Sequence, residues 1–136
     1  MEKCDEAGAA SPNETPVILY IEDNQDNRKL VKRVLKAAGY TVHGAADGPS
    51  GFEYLQTHIP DLILMDIHLP GIDGYTLTRR LRQIEQFSKI PIITLTANVT
   101  KEDQEQSREA GANGFIQKPI DVDSLPDQIS TYLAKY

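Results

Sequence analysis

Acidic side chains follow two apolar segments of this 136-residue chain, at the points where those segments end. Glu22 and Asp23 come directly after ILYI, and Asp66 comes directly after LILM. Thr96 follows a third apolar segment, and Lys118 lies just beyond a fourth. Carboxylates, a hydroxyl and a single cation are groups that bind a hard metal ion and phosphate oxygens. These five residues are therefore our candidates for a functional site.

Three carboxylates in one pocket would repel one another strongly. Each like-charge pair costs about 4 kcal/mol at ~4 Å and an effective dielectric constant of about 20, so either one carboxyl keeps a proton or a cation fills the pocket. The chain has no cluster of cysteine and histidine residues, and an all-oxygen ligand set favours Mg²⁺. A carboxylate can also be a nucleophile. We therefore expect Mg²⁺-dependent phosphoryl transfer onto Asp66, with Thr96 and Lys118 binding phosphate oxygens.

The elements that must position these residues form a regular alternation of strands and helices. Short apolar runs predict five strands, and apolar residues at helical spacing predict a helix after each of them. The predicted strands cover 17–21, 40–45, 62–66, 90–95 and 114–117, and the predicted helices include 30–38, 74–86 and 100–110, one beginning at Asp47 and one near Asp123. This pattern indicates an α/β fold, a doubly wound (βα)5 unit with a parallel five-stranded sheet in the flavodoxin-like order 2-1-3-4-5. Sites in such sheets lie beyond the carboxyl ends of the strands, where the candidate residues fall.

Composition excludes several classes of protein. The chain has 14 basic and 20 acidic residues, a net charge of −6, which disfavours direct binding to DNA or RNA. Its one cysteine, Cys4, cannot form an internal disulfide, so we expect a reducing, cytoplasmic location. No apolar run approaches the ~20 residues of a membrane span. We expect residues 1–15 to be a flexible leader and residues 16–136 to be one domain.

Four motifs resemble the receiver domain of two-component response regulators, of the single-domain type found in chemotaxis and cell-cycle regulation. They are ILYIEDN, LILMDIHLPGIDG, IITLTAN and GFIQKPI. The resemblance covers residues 16–136. It implies that Asp66 accepts a phosphoryl group from a phosphohistidine of a sensor histidine kinase or a histidine phosphotransfer protein. It also implies a Mg²⁺ ion bound by Asp23, Asp66 and the backbone carbonyl of His68, with Glu22 acting partly through water.

The resemblance assigns further residues to the phosphorylated state. Thr96, the backbone N–H of Ala97, and Lys118 would contact the phosphoryl group, and Lys118–Pro119 would be a cis peptide. Phe115 occupies the switch aromatic position, and His68 and Asn98 occupy positions that set the lifetime of the phosphorylated protein. The signal would pass to a downstream protein target, or into a homodimer, through the face formed by helix 4, strand 5 and helix 5. No turnover of a separate substrate is implied.

Three other interpretations are open at this stage. A Mg²⁺-dependent phosphatase with an aspartate nucleophile normally has its D-x-D pattern after strand 1, where this chain has Glu22-Asp23-Asn24. A flavin-binding electron carrier needs a phosphate-binding loop rich in Ser, Thr and Gly there, and the loop here is acidic. A receiver fragment of a hybrid histidine kinase fits the sequence equally well.

The remaining charged and histidine residues predict surface features. Five basic residues form the outer face of helix 1, which is either solvated or a docking face for an acidic partner: Arg28, Lys29, Lys32, Arg33 and Lys36. His43 and His58 are expected to be isolated surface or packing residues.

Overall fold

The fold alternates strands and helices in a computed structural model that describes residues 15–97 and 100–136. The strands are β1 (Val17–Ile21), β2 (Thr41–Ala45), β3 (Leu62–Asp66), β4 (Ile92–Thr96) and β5 (Gly114–Gln117). The helices are α1 (Gln25–Ala37), α2 (Gly48–Leu55), α3 (Gly74–Arg82), α4 (Lys101–Ala110) and α5 (Leu125–Lys135). All strands pair in parallel in the order β2-β1-β3-β4-β5. The predicted fold class and strand order are confirmed.

The core consists of two apolar layers, one on each face of the sheet. Successive side chains of a strand point to opposite faces, so Ile18 and Tyr20 of β1 join one layer while Leu19 and Ile21 join the other. All residues of β3 and β4 are buried, which is why these strands consist mainly of apolar residues without polar alternation. Within the part of the chain that the structure describes, no helix has the length and apolar character needed to cross a membrane.

Four helices begin at a side chain that caps the helix. Asn24, Asp47, Asp73 and Thr100 each accept a hydrogen bond from the backbone N–H three residues later. Such a cap contributes about 1 kcal/mol. The helix start predicted at Asp47 coincides with the cap of α2. α4 ends at Gly111, whose φ of 107° lies in the left-handed region that glycine adopts without steric cost.

Several boundaries differ from the predicted ones. The helix predicted over 74–86 ends at Arg82 and is followed by a separate 3₁₀ turn, Glu85–Phe87. β2 and β4 begin one and two residues later than predicted, and α5 begins at Leu125. The predicted helix extension failed because Ile84, although at helical spacing, has an extended backbone.

The Arg82 side chain explains why α3 stops where it does. Its guanidinium donates hydrogen bonds to the carbonyls of Phe87 (3.0 Å), Ser88 (3.1 Å) and Gly111 (2.8 Å) and to Asn113 Oδ1 (2.6 Å). If the helix continued at about 1.5 Å per residue, it would carry the Phe87 and Ser88 carbonyls away from the Arg82 guanidinium. Arg82 therefore fastens the end of α3 to the loops that precede β4 and β5.

Candidate functional site

The candidate residues meet at the carboxyl edge of the sheet. Glu22 and Asp23 follow β1, Asp66 and Thr96 end β3 and β4, and Lys118 follows β5. The structure brings one carboxylate oxygen from each of Glu22, Asp23 and Asp66 within 4.8 Å of the others. The backbone N–H of Lys118 donates to the Thr96 carbonyl at 2.8 Å, which joins the loop after β5 to the end of β4. Parallel pairing thus assembles groups that lie 96 positions apart in the chain.

The acidic residues of this edge differ in burial. Glu22 is 1% exposed and Asp66 is 2% exposed, whereas Asp23 is open to solvent. A buried charge is costly unless it is paired or hydrogen-bonded. The two inner carboxylates therefore depend on their neighbours, and Asp23 marks the side from which an ion or ligand can enter.

Lys118 connects the two buried carboxylates. Its Nζ lies 3.0 Å from Glu22 Oε1 and 3.1 Å from Asp66 Oδ1. Burial by itself lowers the pKa of Lys118, but hydrogen bonds to both carboxylates and their negative charges outweigh it and raise the pKa. The ammonium therefore stays charged at neutral pH and supplies a fixed cation at the floor of the pocket.

Glu22 and Asp66 respond in opposite ways to their shared environment. Burial, together with the hydrogen bond and charge of Glu22, raises the pKa of Asp66 to about 6 against the opposing effect of Lys118. Burial also tends to raise the pKa of Glu22, but hydrogen bonds from Asp66, Lys118 and Tyr20 and the charge of Lys118 lower it overall. The pair therefore holds one proton on Asp66 in mildly acidic solution. This is one of the two outcomes that carboxylate repulsion predicted.

Sequence reasoning missed two of the residues that hold Glu22 most closely. The Tyr20 hydroxyl donates to Glu22 Oε1 at 3.0 Å, and Arg28 Nη1 donates to the Glu22 carbonyl oxygen at 2.6 Å. The sequence pattern identifies Tyr20 only as an apolar strand residue and Arg28 only as part of the basic face of α1. The sequence signal for the Tyr20 contact is the tyrosine two residues before Glu22, because residues i and i+2 of a strand share a face.

The loop after Asp66 packs closely against the start of α3. The backbone N–H of His68 donates to Asp66 Oδ1 at 3.2 Å, while the His68 side chain is exposed. The Gly74 N–H donates to the Ile67 carbonyl at 2.8 Å. A Cβ at Gly74 would overlap the backbone carbonyl oxygen of Asp66 and lie 2.8 Å from Ile67 Cα. Only glycine allows this approach, which orients the backbone on which Asp66 is carried.

The residues expected to respond to phosphorylation lie along β4, β5 and the following loop. Thr96 is buried, Ala97 is exposed and Phe115 is half-buried. The Lys118–Pro119 peptide bond is cis, as the resemblance implied. Asn98 lies outside the described residues.

α4 is attached to β4 by a hydrogen bond between buried hydroxyls. Thr94 Oγ1 and Ser107 Oγ are 2.7 Å apart, and Ser107 and Ala110 are the residues of α4 that are buried. The Tyr75 hydroxyl makes a second, longer contact, 3.4 Å from the Asp103 carbonyl oxygen. α4 thus depends on polar contacts where the other helices bury large apolar side chains.

Two surface predictions can now be compared with the structure. Four basic residues of α1 are exposed, as expected for a solvated face: Lys29, Lys32, Arg33 and Lys36. His43 and His58 are exposed surface residues, as predicted, but they are not isolated, because their rings stack on Tyr54 with centroid distances of 4.2 and 4.5 Å. The turn after α2 brings His58 back beside Tyr54, which spacing along the chain did not reveal.

Comparison with known proteins identifies the family. A family model described as the response regulator receiver domain matches residues 18–130. The polar-differentiation response regulator DivK of Brucella ovis is 37% identical over 119 residues, which cover 88% of this chain and 97% of that protein.

Solved structures show the same architecture. The chemotaxis response regulator CheY4 of Vibrio cholerae superposes with a TM-score of 0.84 at 27% identity, covering 88% of this chain and 99% of that one. The receiver domain of sensor histidine kinase PA1611 from Pseudomonas aeruginosa, whose active-site cleft holds a magnesium ion, gives a TM-score of 0.80 at 35% identity, covering 89% and 99%. The family match, the relatives and the parallel fold agree: this chain belongs to the receiver-domain family of two-component response regulators.

Proposed function

We propose that this receiver domain accepts a phosphoryl group on Asp66 from a phosphohistidine of a sensor histidine kinase or a histidine phosphotransfer protein. The observation that carries the proposal is the position of Asp66 Oδ1, 3.1 Å from Lys118 Nζ inside the acidic cluster at the carboxyl edge of the sheet. The ammonium would stabilise the transferred group, and the buried carboxylate would be the nucleophile.

The donor set fits a magnesium ion. Three carboxylates with oxygens within 4.8 Å of one another form a hard, negatively charged site of the kind that Mg²⁺ prefers. Asp23, Asp66 and the backbone carbonyl of His68 would hold the ion, with Glu22 acting partly through water. When bound, the ion neutralises charge on the phosphate oxygens. The magnesium ion in the cleft of the related PA1611 receiver domain supports this assignment.

The phosphoryl transfer needs no reactant other than the phosphohistidine and the Asp66 carboxylate. An oxygen of the ionised Asp66 side chain attacks phosphorus, the bond between phosphorus and the histidine nitrogen breaks, and the electron pair stays with the imidazole. The product is an acyl phosphate on Asp66. Lys118 would pair with one phosphoryl oxygen, and the Thr96 hydroxyl and the Ala97 N–H would donate to others. We expect only self-phosphorylation and self-dephosphorylation, with no turnover of a separate substrate.

The signal would leave through the face formed by α4, β5 and α5. Thr96 ends β4, and β5 pairs with β4 so that Thr94 lies opposite Phe115. A phosphoryl group that draws Thr96 inward would alter α4, which has few apolar anchors, and with it Phe115. We propose that a downstream protein, or a second copy of the chain, recognises this face. The net charge of −6 argues against direct contact with DNA.

The experiment that tests the proposal is phosphorylation of an Asp66→Asn variant. Wild type incubated with acetyl phosphate and Mg²⁺ should gain about 80 Da, and the variant should not, because an amide cannot form the acyl phosphate. Asp127→Asn is the matched control, since Asp127 lies exposed on α5. An undiminished adduct on Asp66→Asn would refute the assignment, and sustained release of phosphate from a small phosphoester would favour a phosphatase.

The chain is similar both to a stand-alone regulator and to a domain of a larger kinase. DivK is matched over 97% of its length, and the PA1611 domain belongs to a sensor histidine kinase. Asp66 would accept the phosphoryl group in either setting. Transfer assays against each histidine kinase and phosphotransfer protein of the source organism would identify the donor.

A further inference from the structure

We propose that Tyr20 is a positioning residue that orients the Glu22 carboxylate for the metal site. The Tyr20 hydroxyl donates to Glu22 Oε1 at 3.0 Å, and the Tyr20 side chain is completely buried. The same oxygen lies 3.0 Å from Lys118 Nζ. Asn27 Nδ2 makes a longer contact with Oε1, at 3.4 Å. Two short hydrogen bonds and one long one thus hold Oε1 on the interior side of the pocket.

This arrangement leaves the other Glu22 oxygen for the ion. Oε2 accepts a long hydrogen bond, 3.4 Å, from the backbone N–H of Asn24. That N–H lies at the beginning of α1, on the same edge of the sheet as Asp23. With Oε1 held by Tyr20 and Lys118, Oε2 would be the oxygen that faces a water on the ion. Groups that hold a metal ligand in this way raise metal affinity because the ligand needs no reorientation on binding.

The residue type at position 20 supports a polar function over simple packing. The other buried members of the cluster that contains Tyr20 are aliphatic, Ile18 and Leu64 among them. A phenylalanine would fill the same space without placing a hydroxyl in the interior, and a buried hydroxyl is costly unless it is hydrogen-bonded. The hydroxyl of Tyr20 has its partner in Glu22, at the point where the core meets the acidic cluster.

The test is Mg²⁺ affinity of Tyr20→Phe, measured by calorimetric titration. We expect the dissociation constant to rise about tenfold, the lower end of the range for residues that orient metal ligands. Tyr40→Phe is the matched control, because Tyr40 packs partly buried against the same cluster but precedes β2, at the opposite edge of the sheet. Its Mg²⁺ affinity should not change. Urea unfolding of both variants without Mg²⁺ measures any purely structural effect.

A double-mutant cycle with Glu22→Gln distinguishes positioning from a general loss of order. If Tyr20 acts through Glu22, Tyr20→Phe should change Mg²⁺ affinity much less in the Glu22→Gln background. The rate of phosphorylation by acetyl phosphate should be reduced in Tyr20→Phe at low Mg²⁺ and return to within about twofold of wild type at saturating Mg²⁺. A deficit that persists at saturating Mg²⁺ would contradict the positioning role.

A measurement on the wild-type protein covers the case in which Tyr20→Phe does not fold. The ring resonances of Tyr20 should shift on addition of Mg²⁺, while those of Tyr40 should not. Unmoved Tyr20 resonances would overturn the inference. This inference rests on the proposed function, and the two fail differently. If only the inference about Tyr20 is wrong, the wild-type protein still binds Mg²⁺ and is phosphorylated on Asp66. A wild-type protein that does neither would overturn the proposed function itself.

Discussion

Replacing Lys118 with methionine should destabilise the protein by an amount that grows with pH. The ammonium lies between two almost fully buried carboxylates, 3.0 Å from Glu22 Oε1 and 3.1 Å from Asp66 Oδ1. Methionine retains much of the aliphatic stem, so the change removes mainly the charge and its hydrogen bonds. The variant then carries two adjacent buried carboxylates with no cation between them, and like charges in a buried site favour protonation of one partner.

Because Asp66 can hold a proton, the electrostatic cost of removing the Lys118 charge has an upper limit. Keeping a carboxyl with an unfolded-state pKa of about 3.9 protonated costs about 1.4 kcal/mol for every pH unit above that value. A raised folded-state pKa stabilises the fold below the unfolded-state pKa, and this contribution is lost as pH rises through the folded-state pKa. In wild type the loss of unfolding free energy stops growing at about pH 6, because Asp66, whose pKa is raised to about 6, then gives up its proton.

The variant should keep its proton to higher pH, so the two proteins diverge above about pH 6. The difference in unfolding free energy from this source is at most about 1.4 kcal/mol at about pH 7 and about 2.7 kcal/mol at about pH 8. The lost hydrogen bonds from the ammonium add about 1–2 kcal/mol that does not depend on pH. We expect total losses of about 1–2 kcal/mol at about pH 5 and about 4 kcal/mol at about pH 8, within the range for breaking a buried ion pair.

Urea unfolding of wild type and Lys118→Met at about pH 5 and about pH 8, with a metal chelator present, measures both losses. Lys89→Met is the matched control, because Lys89 is exposed and its replacement should change stability little at either pH. Saturating Mg²⁺ should recover part of the loss at high pH, since the ion replaces the missing positive charge. A loss that is equal at the two pH values, or larger at low pH, would refute the assignment of the shared proton to Asp66.

Four further predictions concern the pocket and the elements around it. Mg²⁺ affinity, measured by calorimetry, should fall about tenfold per pH unit below about pH 6, because the proton on Asp66 competes with the ion. Hydrogen exchange should be faster in α4 than in α1, and Thr94→Val, which removes the hydrogen bond to α4, should accelerate α4 exchange about fivefold further. Gly74→Ala should lower the unfolding free energy by about 3 kcal/mol in urea, because the new Cβ overlaps the Asp66 carbonyl oxygen. The double variant His68→Ala, Asn98→Glu should lose its phosphoryl group about tenfold faster, or about 1.4 kcal/mol of barrier, because a small side chain admits the attacking water and an acid can orient it.

For each of these four predictions, one result would contradict it. Mg²⁺ affinity that stays constant from about pH 5 to about pH 7 would show that no carboxyl of the pocket competes as described. Equal protection of α1 and α4 would remove the physical basis for α4 as the responsive element. Gly44→Ala is the comparison for Gly74→Ala, because its Cβ would meet only the flexible Arg28 side chain, at 3.1 Å from Cδ; equal losses in the two variants would contradict the backbone clash. An unchanged rate of phosphate loss in the double variant would show that these side chains do not control the water.

Much of the fold could be predicted because local patterns and global topology agree. Short apolar runs separated by helical patterns allow few arrangements, since crossover connections are short and right-handed. That rule also places the carboxyl ends of all strands at one edge, so the convergence of Glu22, Asp66 and Lys118 followed from where the runs end. Helix boundaries were less predictable. The extension predicted for α3 does not form, because Ile84 has an extended backbone. Arg82 instead donates to the carbonyl of Gly111, which is far away in the chain.

What only the tertiary structure decided concerns the inside of the pocket. A sequence shows that carboxylates converge, but which of them keeps the proton depends on burial and on the donors that surround each one. The Tyr20 hydroxyl and the Lys118 ammonium both reach Glu22 Oε1 and help to lower the pKa of Glu22 against its burial. Burial, together with the hydrogen bond and charge of Glu22, raises the pKa of Asp66. Such donors lie up to 96 positions away along the chain. The interaction energy between charges in a buried site depends steeply on distances of a few ångströms, and those distances are set only once the sheet has formed.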